Sequence, residues 1–528
     1  MPLIAHLVAI LIAVAATAAA VEPGAMATYC FSAHGDDAAG DGSATHPWRT
    51  IAKANGLTLH AGDRLAFAGG DTFAGTLLIS GEGGTAERPI VVTSSGEGRA
   101  IIDAGEGDGV RIRNVGGITI ERLIVRGGGG AKRGDGIAFA NDLPGSNRLA
   151  SIRVSEVEAS ECRNGISVGG WPADGSVNGF SDVRIERCVA HGNTYVGITT
   201  WGREDPARAA YANEDVAIID CIAHDNPGDP AFLDNHSGNG ILMGNVARGL
   251  IERCVAYGNG AQCHCTKGGP VGIWAYASTR VVIQHCESYD NRTGCPFDGG
   301  GFDFDGGVSD SVMQYNYSHG NDGAGYLLYA YPGSPYEFAR NICRFNLSRD
   351  DGRRNNFAGI YVGADGTVVS DLEIYHNTVV VSPSSTGTPA AVVVRNTERV
   401  RFRANLLVAA GGVPILSVTG DHPGLVFAGN AYWSPGQPTA FRWDGAAHAG
   451  LAAWRAASGQ ERIGDQPGGC EVDPRFATGR DGRDALRLDA DSPLRRAAID
   501  LGLDPGAHDG FAAALGTGPH GIGADAAP

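Results

Sequence analysis

One short pattern recurs through most of this 528-residue chain and limits the folds open to it more than any other feature. The pattern is apolar-x-apolar-x-x-(Cys or Asn)-x-x-(His or Tyr)-x-Asn, as in VRIERCVAHGN and VAIIDCIAHDN. Its sixth position recurs every 25 to 34 residues, which is typical of a solenoid with loops of varying length. The residues at that position are Leu123, Val157, Cys188, Cys221, Cys254, Cys286, Asn316, Asn346, Asn377, Asn405 and Asn430.

Each repeat also contains a second short segment built on Gly and an apolar residue, such as NGISVGG, VGITTWG and GGFDFDG. Short strands separated by Gly, Asn and Asp turns, without helical periodicity, predict coils of parallel strands stacked about 4.8 Å apart. We therefore predict an all-β fold, a right-handed parallel β-helix of about eleven coils. Equivalent residues would lie above one another, so Asn side chains can pass amide hydrogen bonds from coil to coil.

The segments that flank the repeats predict the organisation of the chain. Residues 1–27 read as a secretory signal peptide, cleaved after residue 20 or 27, because residues 7–20 are apolar and small residues follow. Residues 28–430 would form the β-helix with a short N-terminal cap helix, and residues 431–528 an irregular tail that packs on the solenoid. The protein is therefore expected to be secreted or periplasmic, with no membrane span in the mature chain.

The charge balance excludes one class of partner. Acidic residues number 58 and basic residues 41, which gives a formal net charge of −17. This sign is wrong for a protein that neutralises phosphates, so we expect no nucleic-acid partner.

Several segments resemble a known superfamily. They are GDGSATHPWRTIAKAN, RPIVVTS, RAIIDAG, the repeated Gly-Ile strands, DPRF and the final GIGA. With these, the chain resembles the secreted right-handed parallel β-helix proteins grouped with pectate lyases. The resemblance implies the fold over nearly the whole mature chain. It does not choose an activity, because polysaccharide lyases, glycoside hydrolases and uronate epimerases share it.

Alternation along the second strand of each coil places two columns of side chains on the outer face. These columns bring together Trp274, Tyr276, Asp303, Asp305 and Tyr329 on three consecutive coils. Aromatic rings stack on the apolar faces of sugars, and carboxylates bond hydroxyls or transfer protons. We therefore expect a sugar site here.

Three carboxylates are the candidate catalytic groups. Asp303 and Asp305 are two residues apart on one strand, which separates their Cα atoms by about 6.5–7 Å, and Asp298 lies in the preceding turn. This spacing suits the carboxyl pairs of glycoside hydrolases. Repulsion within the cluster should raise the pKa of one carboxyl and leave another ionised.

Two further residues are candidates for substrate binding. Trp201 belongs to the same outward column, and Lys267 stands on the same flank and is conceivable as the base of a lyase. Each candidate also has a structural alternative. The carboxylates could be solvated or bind calcium, the aromatic residues could be buried beneath residues 203–239, and Lys267 could be a solvated turn residue. His236 could approach the groove or bind a neighbouring turn.

Three cysteines occupy loops rather than the ladder. Cys263 and Cys295 each lie four residues after an Asn of the repeat, at matching positions in adjacent coils. A disulfide between Cys295 and either Cys263 or Cys265 is plausible in a secreted protein. The chain has eleven cysteines, so at least one thiol stays unpaired within a monomer.

The leading hypothesis is a secreted carbohydrate-active enzyme that cleaves a polysaccharide, with a glycoside hydrolase favoured. The first alternative is a calcium-dependent polysaccharide lyase that uses Lys267 or an Arg as base, which makes calcium a candidate cofactor. The second is a non-catalytic, glycan-binding solenoid. The net charge favours neutral glycans, unless calcium bridges acid to acid.

Overall fold

The computed structural model describes residues 26–128, 134–205, 207, 210–497, 502, 507–515 and 520–526. The predicted signal peptide, residues 1–27, lies outside the described residues except for its last two positions. Within the part of the chain that is described, no helix is both long enough and apolar enough to cross a bilayer.

Three long parallel sheets form the body of the molecule, and the chain contributes one strand to each sheet in every turn. Sheet 1 contains Thr28–Phe31, Arg64–Ala68, Ile90–Ser95, Ile118–Glu121, Arg148–Ser155, Gly179–Glu186, Asn213–Ile219, Val246–Glu252, Thr279–Gln284, Val312–Gln314, Ile342–Arg344, Val369–Tyr375, Thr397–Arg403 and Val426–Ala428, with Phe338–Ala339 paired at its side. Sheet 2 contains Thr72–Ala74, Ala100–Gly105, Leu123–Gly127, Glu158–Ser160, Val189–His191, Ile222–His224, Val255–Tyr257, Glu287–Tyr289, Tyr317–His319, Leu347–Arg349, Thr378–Val381, Leu406–Ala409, Ala431–Trp433 and Cys470–Glu471. Sheet 3 contains Leu77–Ile79, Val110–Arg113, Ile137–Ala140, Asn164–Gly170, Val196–Gly202, Asn239–Gly244, Val271–Tyr276, Gly300–Phe304, Tyr326–Ala330, Ala358–Ala364, Ala390–Arg395, Leu416–Thr419, Ala440–Trp443 and Ala446–Ala449.

This topology confirms the predicted all-β solenoid: the eleven coils predicted from Leu123 to Asn430 each supply a strand to sheet 2, and two further coils precede them. The inward side chains of all three sheets form one continuous apolar core that runs the length of the solenoid. The Cys ladder lies in this core: Cys188, Cys221 and Cys254 are fully buried. Ile222 pairs with Val255, so Cys221 and Cys254 occupy adjacent coils as predicted.

The asparagine ladder holds successive coils in register at the turn before sheet 2. The side-chain amide of Asn316 donates to Asn346 Oδ1 at 3.1 Å, and Asn346 donates to Asn377 at 3.0 Å. The series continues through Asn405 to Asn430, at 2.9 Å for each step. Because every amide finds a partner in the next coil, this buried polar column is satisfied from end to end.

The two ends of the solenoid are closed differently. The N-terminal helix Ile51–Asn55 begins after Thr50, whose side chain accepts a hydrogen bond from the Lys53 amide. At the other end the helix Leu451–Ser458 buries Trp454 against the last coils. The strands continue past the predicted boundary at residue 430, because sheets 2 and 3 each gain strands beyond it.

The C-terminal residues that the structure describes lie along the side of the solenoid. They include the short antiparallel pair Arg462–Ile463 and Gln466–Pro467, and the 3-10 helices Gly482–Leu486 and Pro493–Arg496. Leu486 and Phe511 pack on Tyr317 and Leu347 of sheet 2. The Ala524 amide donates to Thr378 Oγ1 at 2.9 Å, which anchors the tail to the same sheet.

Candidate functional site

Strand Gly300–Phe304 of sheet 3 carries the sequence GGFDF, and its alternation separates core residues from outward residues. Phe302 and Phe304 point into the solenoid and are fully buried. Asp303 therefore faces outward, with Trp274 beside it on the previous strand and Leu327 on the next. The predicted outward column exists in this register.

Asp303 and Trp274 face outward but are not exposed, which corrects the expectation of an open aromatic surface. Their exposed fractions are 2% and 4%. His236 covers Trp274 edge-on, with ring centroids 5.0 Å apart, and stacks on Tyr195 at 5.4 Å. The Asn239 side chain holds His236 through its Nδ1 atom at 2.9 Å. The alternative of a cluster buried beneath residues 203–239 is therefore correct for Trp274.

Burial leaves two polar atoms of this pair without a hydrogen-bond partner. Asp303 Oδ1 and Trp274 Nε1 are both buried, and neither has a partner among the described residues. An unpaired buried polar atom costs about 1–3 kcal/mol. Such a cost is commonly tolerated where the group serves a function rather than the fold.

Asp305 and Asp298 are the carboxylates that remain partly exposed. Asp305 follows the strand and caps its own turn, since Asp305 Oδ1 accepts from the Gly306 amide at 2.8 Å. Asp298 lies in the turn before the strand with a φ of 42°, a left-handed conformation that Asp adopts more readily than most residues. The two carboxylates therefore flank buried Asp303.

Burial and negatively charged neighbours raise the pKa values of all three carboxyls. Desolvation lifts the pKa of Asp305 to about 7, with a further contribution from the charge of Asp298. Desolvation, followed by the charge of the Cys263 thiolate, lifts the pKa of Asp298 to about 7. Desolvation, followed by the charges of Asp305 and Asp298, raises the pKa of Asp303 well above the ordinary range of an aspartate. Every neighbouring charge that shifts these groups is negative.

Tyrosine rings surround the carboxylates and lie over glycines of neighbouring strands. A Cβ atom on Gly244 would come within 2.3 Å of the Tyr276 ring, and one on Gly306 within 2.4 Å of the Tyr331 ring. Only glycine leaves room for these rings to lie against the sheet. Tyr276 and Tyr331 are both partly exposed, so each ring presents part of its surface at the site.

Tyr329 occupies the position beside Asp305 on the next strand, and its hydroxyl is held by a hydrogen bond. The hydroxyl donates to Asp365, which also binds the Arg395 guanidinium. Tyr361 lies next to Tyr329, with ring centroids 6.3 Å apart. The site is thus a group of carboxylates bordered by four partly exposed tyrosines, Tyr276, Tyr329, Tyr331 and Tyr361.

Comparison with known proteins places the chain at the level of fold. The model of the family "Right handed beta helix region" matches residues 176–431. The native structure of the GH136 lacto-N-biosidase from Eubacterium ramulus superposes with a TM-score of 0.53 at 18% identity, covering 76% of this chain and 68% of that one. Its selenomethionine derivative gives 0.51 at 17% identity, covering 75% and 67%. A complex of XylC with xylose gives 0.49 at 10% identity, covering 94% and 98%.

The chain is a right-handed parallel β-helix. No curated protein sequence matches it significantly. At 18% identity, the likeness of this β-helix to the solved structures concerns the fold alone.

Of the two further residues predicted to bind substrate, Trp201 lies away from the carboxylates of the β-helix. Trp201 is three strands from Asp305 along the same column, about 14 Å at strand spacing. Its indole nitrogen donates to Ser167 at 2.8 Å, and its ring covers Gly169. Lys267 is exposed in the loop that follows Cys265. The lyase base suggested for Lys267 stays a prediction.

Two residues near the carboxylates were missed or undervalued in the sequence. Glu204 is partly exposed, and its charge contributes to the raised pKa values of Tyr276 and Tyr331. Both Glu204 and Tyr331 follow a strand of sheet 3, outside the repeated motif. Their position just after a strand was the available signal, whereas the predicted columns took only residues of the strands themselves.

The predicted cysteine group does assemble in the β-helix. Cys263, Cys265 and Cys295 are buried together, and Cys265 Sγ lies 2.8 Å from Cys295 Sγ without a bond between them. The predicted disulfide stays a prediction. Among the described residues, these three form the one group of at least three potential ligands whose donor atoms all lie within 4.8 Å of one another. The three aspartates do not converge this closely, so they form no compact set of calcium ligands, and a calcium requirement stays a prediction.

Proposed function

We propose that this protein is a secreted glycoside hydrolase that cleaves a neutral glycan, with Asp298 and Asp305 as its catalytic carboxylate pair. The observation that carries the proposal is the pair itself: two partly exposed carboxyls beside a third, buried one, on a face bordered by tyrosines. Glycoside hydrolysis uses two carboxyl groups in different protonation states. The lacto-N-biosidase that shares this fold belongs to GH136, which is consistent with a hydrolase on such a scaffold.

The electrostatics of the site supply the required protonation states. The pKa values of Asp298 and Asp305 are both raised to about 7, and their charges repel. Near neutral pH the pair therefore holds about one proton. The protonated member can donate to the leaving oxygen, while the ionised member acts as nucleophile or activates water. Burial raises the pKa of Asp303 and favours its neutral form; with its unpartnered Oδ1, Asp303 would position the pair.

The sign of the charge favours a neutral substrate over a polyuronate. The groups that act electrostatically on the three carboxyls are all negative, and the chain carries a net charge of −17. A uronate carboxylate placed here would meet like charges. The rings of Tyr276 and Tyr331 instead offer apolar faces to uncharged pyranoses.

The test uses a panel of neutral and uronate-containing glycans, with and without a calcium chelator. The proposal predicts new reducing ends from a neutral glycan, no unsaturated products that absorb in the ultraviolet, and no effect of the chelator. Unsaturated uronides that vanish with the chelator would show a calcium-dependent lyase instead. Binding without any product over long incubation would show a glycan-binding solenoid.

A further inference from the structure

A group of three thiols lies near Asp298, and the charge of Cys263 contributes to the raised pKa of that carboxyl. Cys263 is fully buried, and Cys265 and Cys295 are 3% and 5% exposed. Cys263 and Cys265 come from one loop, and Cys295 comes from the equivalent loop of the next coil. The stacking of the coils therefore brings together residues some 30 positions apart, with all three sulfur atoms within 4.8 Å of one another.

We propose that Cys263, Cys265 and Cys295 form a three-thiolate binding site for one soft metal ion of the Zn(II), Cd(II) or Cu(I) type. Thiolate sulfur is the ligand that such ions prefer. With metal–sulfur bonds of about 2.3 Å, three sulfurs around one ion are separated by roughly 4 Å. The present separations reach this arrangement if the Cys265–Cys295 pair opens by about 1 Å, a shift that side-chain rotation can provide.

The groups around the sulfurs suit thiolates. The Ser237 amide points at Cys263 Sγ at 3.4 Å, and Thr293 Oγ1 lies 3.2 Å from Cys295 Sγ. Both can donate hydrogen bonds to a metal-bound sulfur, which is the usual support for a ligand. The Gly268 carbonyl oxygen lies 2.7 Å from Cys265 Sγ and 3.8 Å from Cys295 Sγ. This oxygen only accepts hydrogen bonds, so it does not support a thiolate and would have to bind the ion or move aside.

A disulfide accounts for this group less completely. A bond between any two of the sulfurs leaves the third as a buried thiol in contact with the disulfide, where thiol–disulfide exchange is favoured by proximity. A single bound ion would instead take all three sulfur atoms as ligands. It would also tie together the two loops behind the site, because Cys295 lies three residues before Asp298 and the Cys265 loop leads into Gly269, which contacts Asp298.

The first measurement concerns the protein as isolated. The protein is purified anaerobically without chelators, and its intact mass and metal content are determined. It is then reduced, stripped of metal and titrated with Cd(II), with Ca(II) as the hard-ion control. The proposal predicts one Cd(II) per chain with a thiolate-to-cadmium absorption band. It also predicts that three thiols become protected from alkylation, and that Ca(II) does neither.

Variants assign the ligands. Cys263→Ser, Cys265→Ser and Cys295→Ser should each weaken Cd(II) binding at least tenfold, while Cys30→Ser, at a half-buried cysteine outside the group, should bind as the parent does. If a variant does not fold, alkylation of the parent with and without Cd(II), mapped by peptide mass, identifies the three protected residues. A disulfide among the three in the freshly isolated protein, failure of the reduced protein to bind Cd(II), or protection of other cysteines would each overturn the proposal.

Discussion

Buried polar groups occur in two regions of this solenoid, and the two regions treat them in opposite ways. In the asparagine ladder, each amide donates to the next coil and to a backbone carbonyl, as Asn316 does to Asn346 and Ile283. In the carboxylate site, Asp303 Oδ1 has no partner and its neighbours carry charge of the same sign. The ladder therefore stabilises the fold, whereas the carboxylate site lowers the stability of the fold and is available for chemistry.

Two buried aspartates make the same comparison within one residue type. Asp351 is fully buried at the end of another ladder of buried side chains, the one that contains Asn321. It accepts a hydrogen bond from the Asn321 side chain at 2.8 Å and another from the Ser348 hydroxyl at 2.6 Å. Asp303 is almost as deeply buried and lacks such donors on Oδ1. Burial alone thus does not mark a functional carboxylate, but burial without hydrogen-bond partners does.

The largest expected effect comes from removing a carboxylate of the pair. Asp305→Asn keeps the shape and the hydrogen bond from the Gly306 amide but cannot exchange a proton near neutral pH. We expect glycan cleavage to fall about 10²–10⁴-fold with little change in binding. Release of reducing ends under initial-rate conditions measures the loss. Asp310→Asn, at an exposed aspartate paired with Arg340, is the matched control and should keep its activity. Normal turnover by Asp305→Asn would show that the carboxylate has a structural role, as the ladder has.

The ladder should respond in stability rather than in activity. Asn316→Leu removes the acceptor of the Cys286 amide and the donor to the Ile283 carbonyl, while Asn346 Oδ1 keeps the backbone amide of residue 316 as its donor. At about 1–3 kcal/mol for each of the two orphaned groups, we expect a loss of at least about 2 kcal/mol. Denaturant unfolding measures the loss, and any folded fraction should keep its specific activity. An unchanged unfolding midpoint would contradict the role of the ladder.

Trp274 tests whether the aromatic residues belong to the site or to the packing. Because Trp274 is only 4% exposed and lies under His236, we expect Trp274→Ala to cost about 3 kcal/mol, as for other large-to-small changes in packed clusters. Trp171→Ala is the control, since that ring is 54% exposed. A stable Trp274→Ala protein with weakened glycan binding would instead show that the ring reaches the substrate.

The sequence predicted the solenoid because its repeat is a property of the backbone path. Every coil must place an apolar or amide side chain at the same turn, so Cys221 and Asn316 can be aligned without a structure. The exposure of Trp274 could not be predicted in this way. Alternation tells which face a side chain takes, whereas the cover over that face comes from His236, in a loop with no periodicity.

The site was predictable in part for the same reason. Asp303 and Asp305 lie on a strand whose register follows from the repeat, and Asp298 lies in the turn that leads into it. Tyr331 and Glu204 come from connections that follow strands, where chain length varies and no repeat fixes the position. The grouping of Cys263, Cys265 and Cys295 was foreseen because their loops occupy matching positions in adjacent coils.

The smallest expected effect is a difference in how the stability of the protein depends on pH when the carboxylate site or the ladder is altered. The pKa of Asp305 is raised from 3.8 to about 7 in the folded protein, so between these values the folded state binds more protons than the unfolded state. This group therefore lowers stability as pH rises from about 4 to about 7. The groups that face it are Asp298, Asp303, Tyr276, Tyr329 and Tyr331, and the three tyrosines stay neutral in this range.

Asp305→Asn removes this charge and should unfold at a higher temperature than the parent at pH 8, but not at pH 4. Since Asp305 is partly exposed, we expect about 1 kcal/mol, or about 2 °C. Asp351→Ala is the counterpart from the ladder that ends at Asp351 and should lose stability at both pH values, because it removes the acceptor of Asn321 and Ser348. Thermal unfolding at the two pH values measures all three proteins. If Asp305→Asn also lost stability at pH 8, its carboxylate would be held by partners as Asp351 is, and the contrast between the two regions would not extend to Asp305.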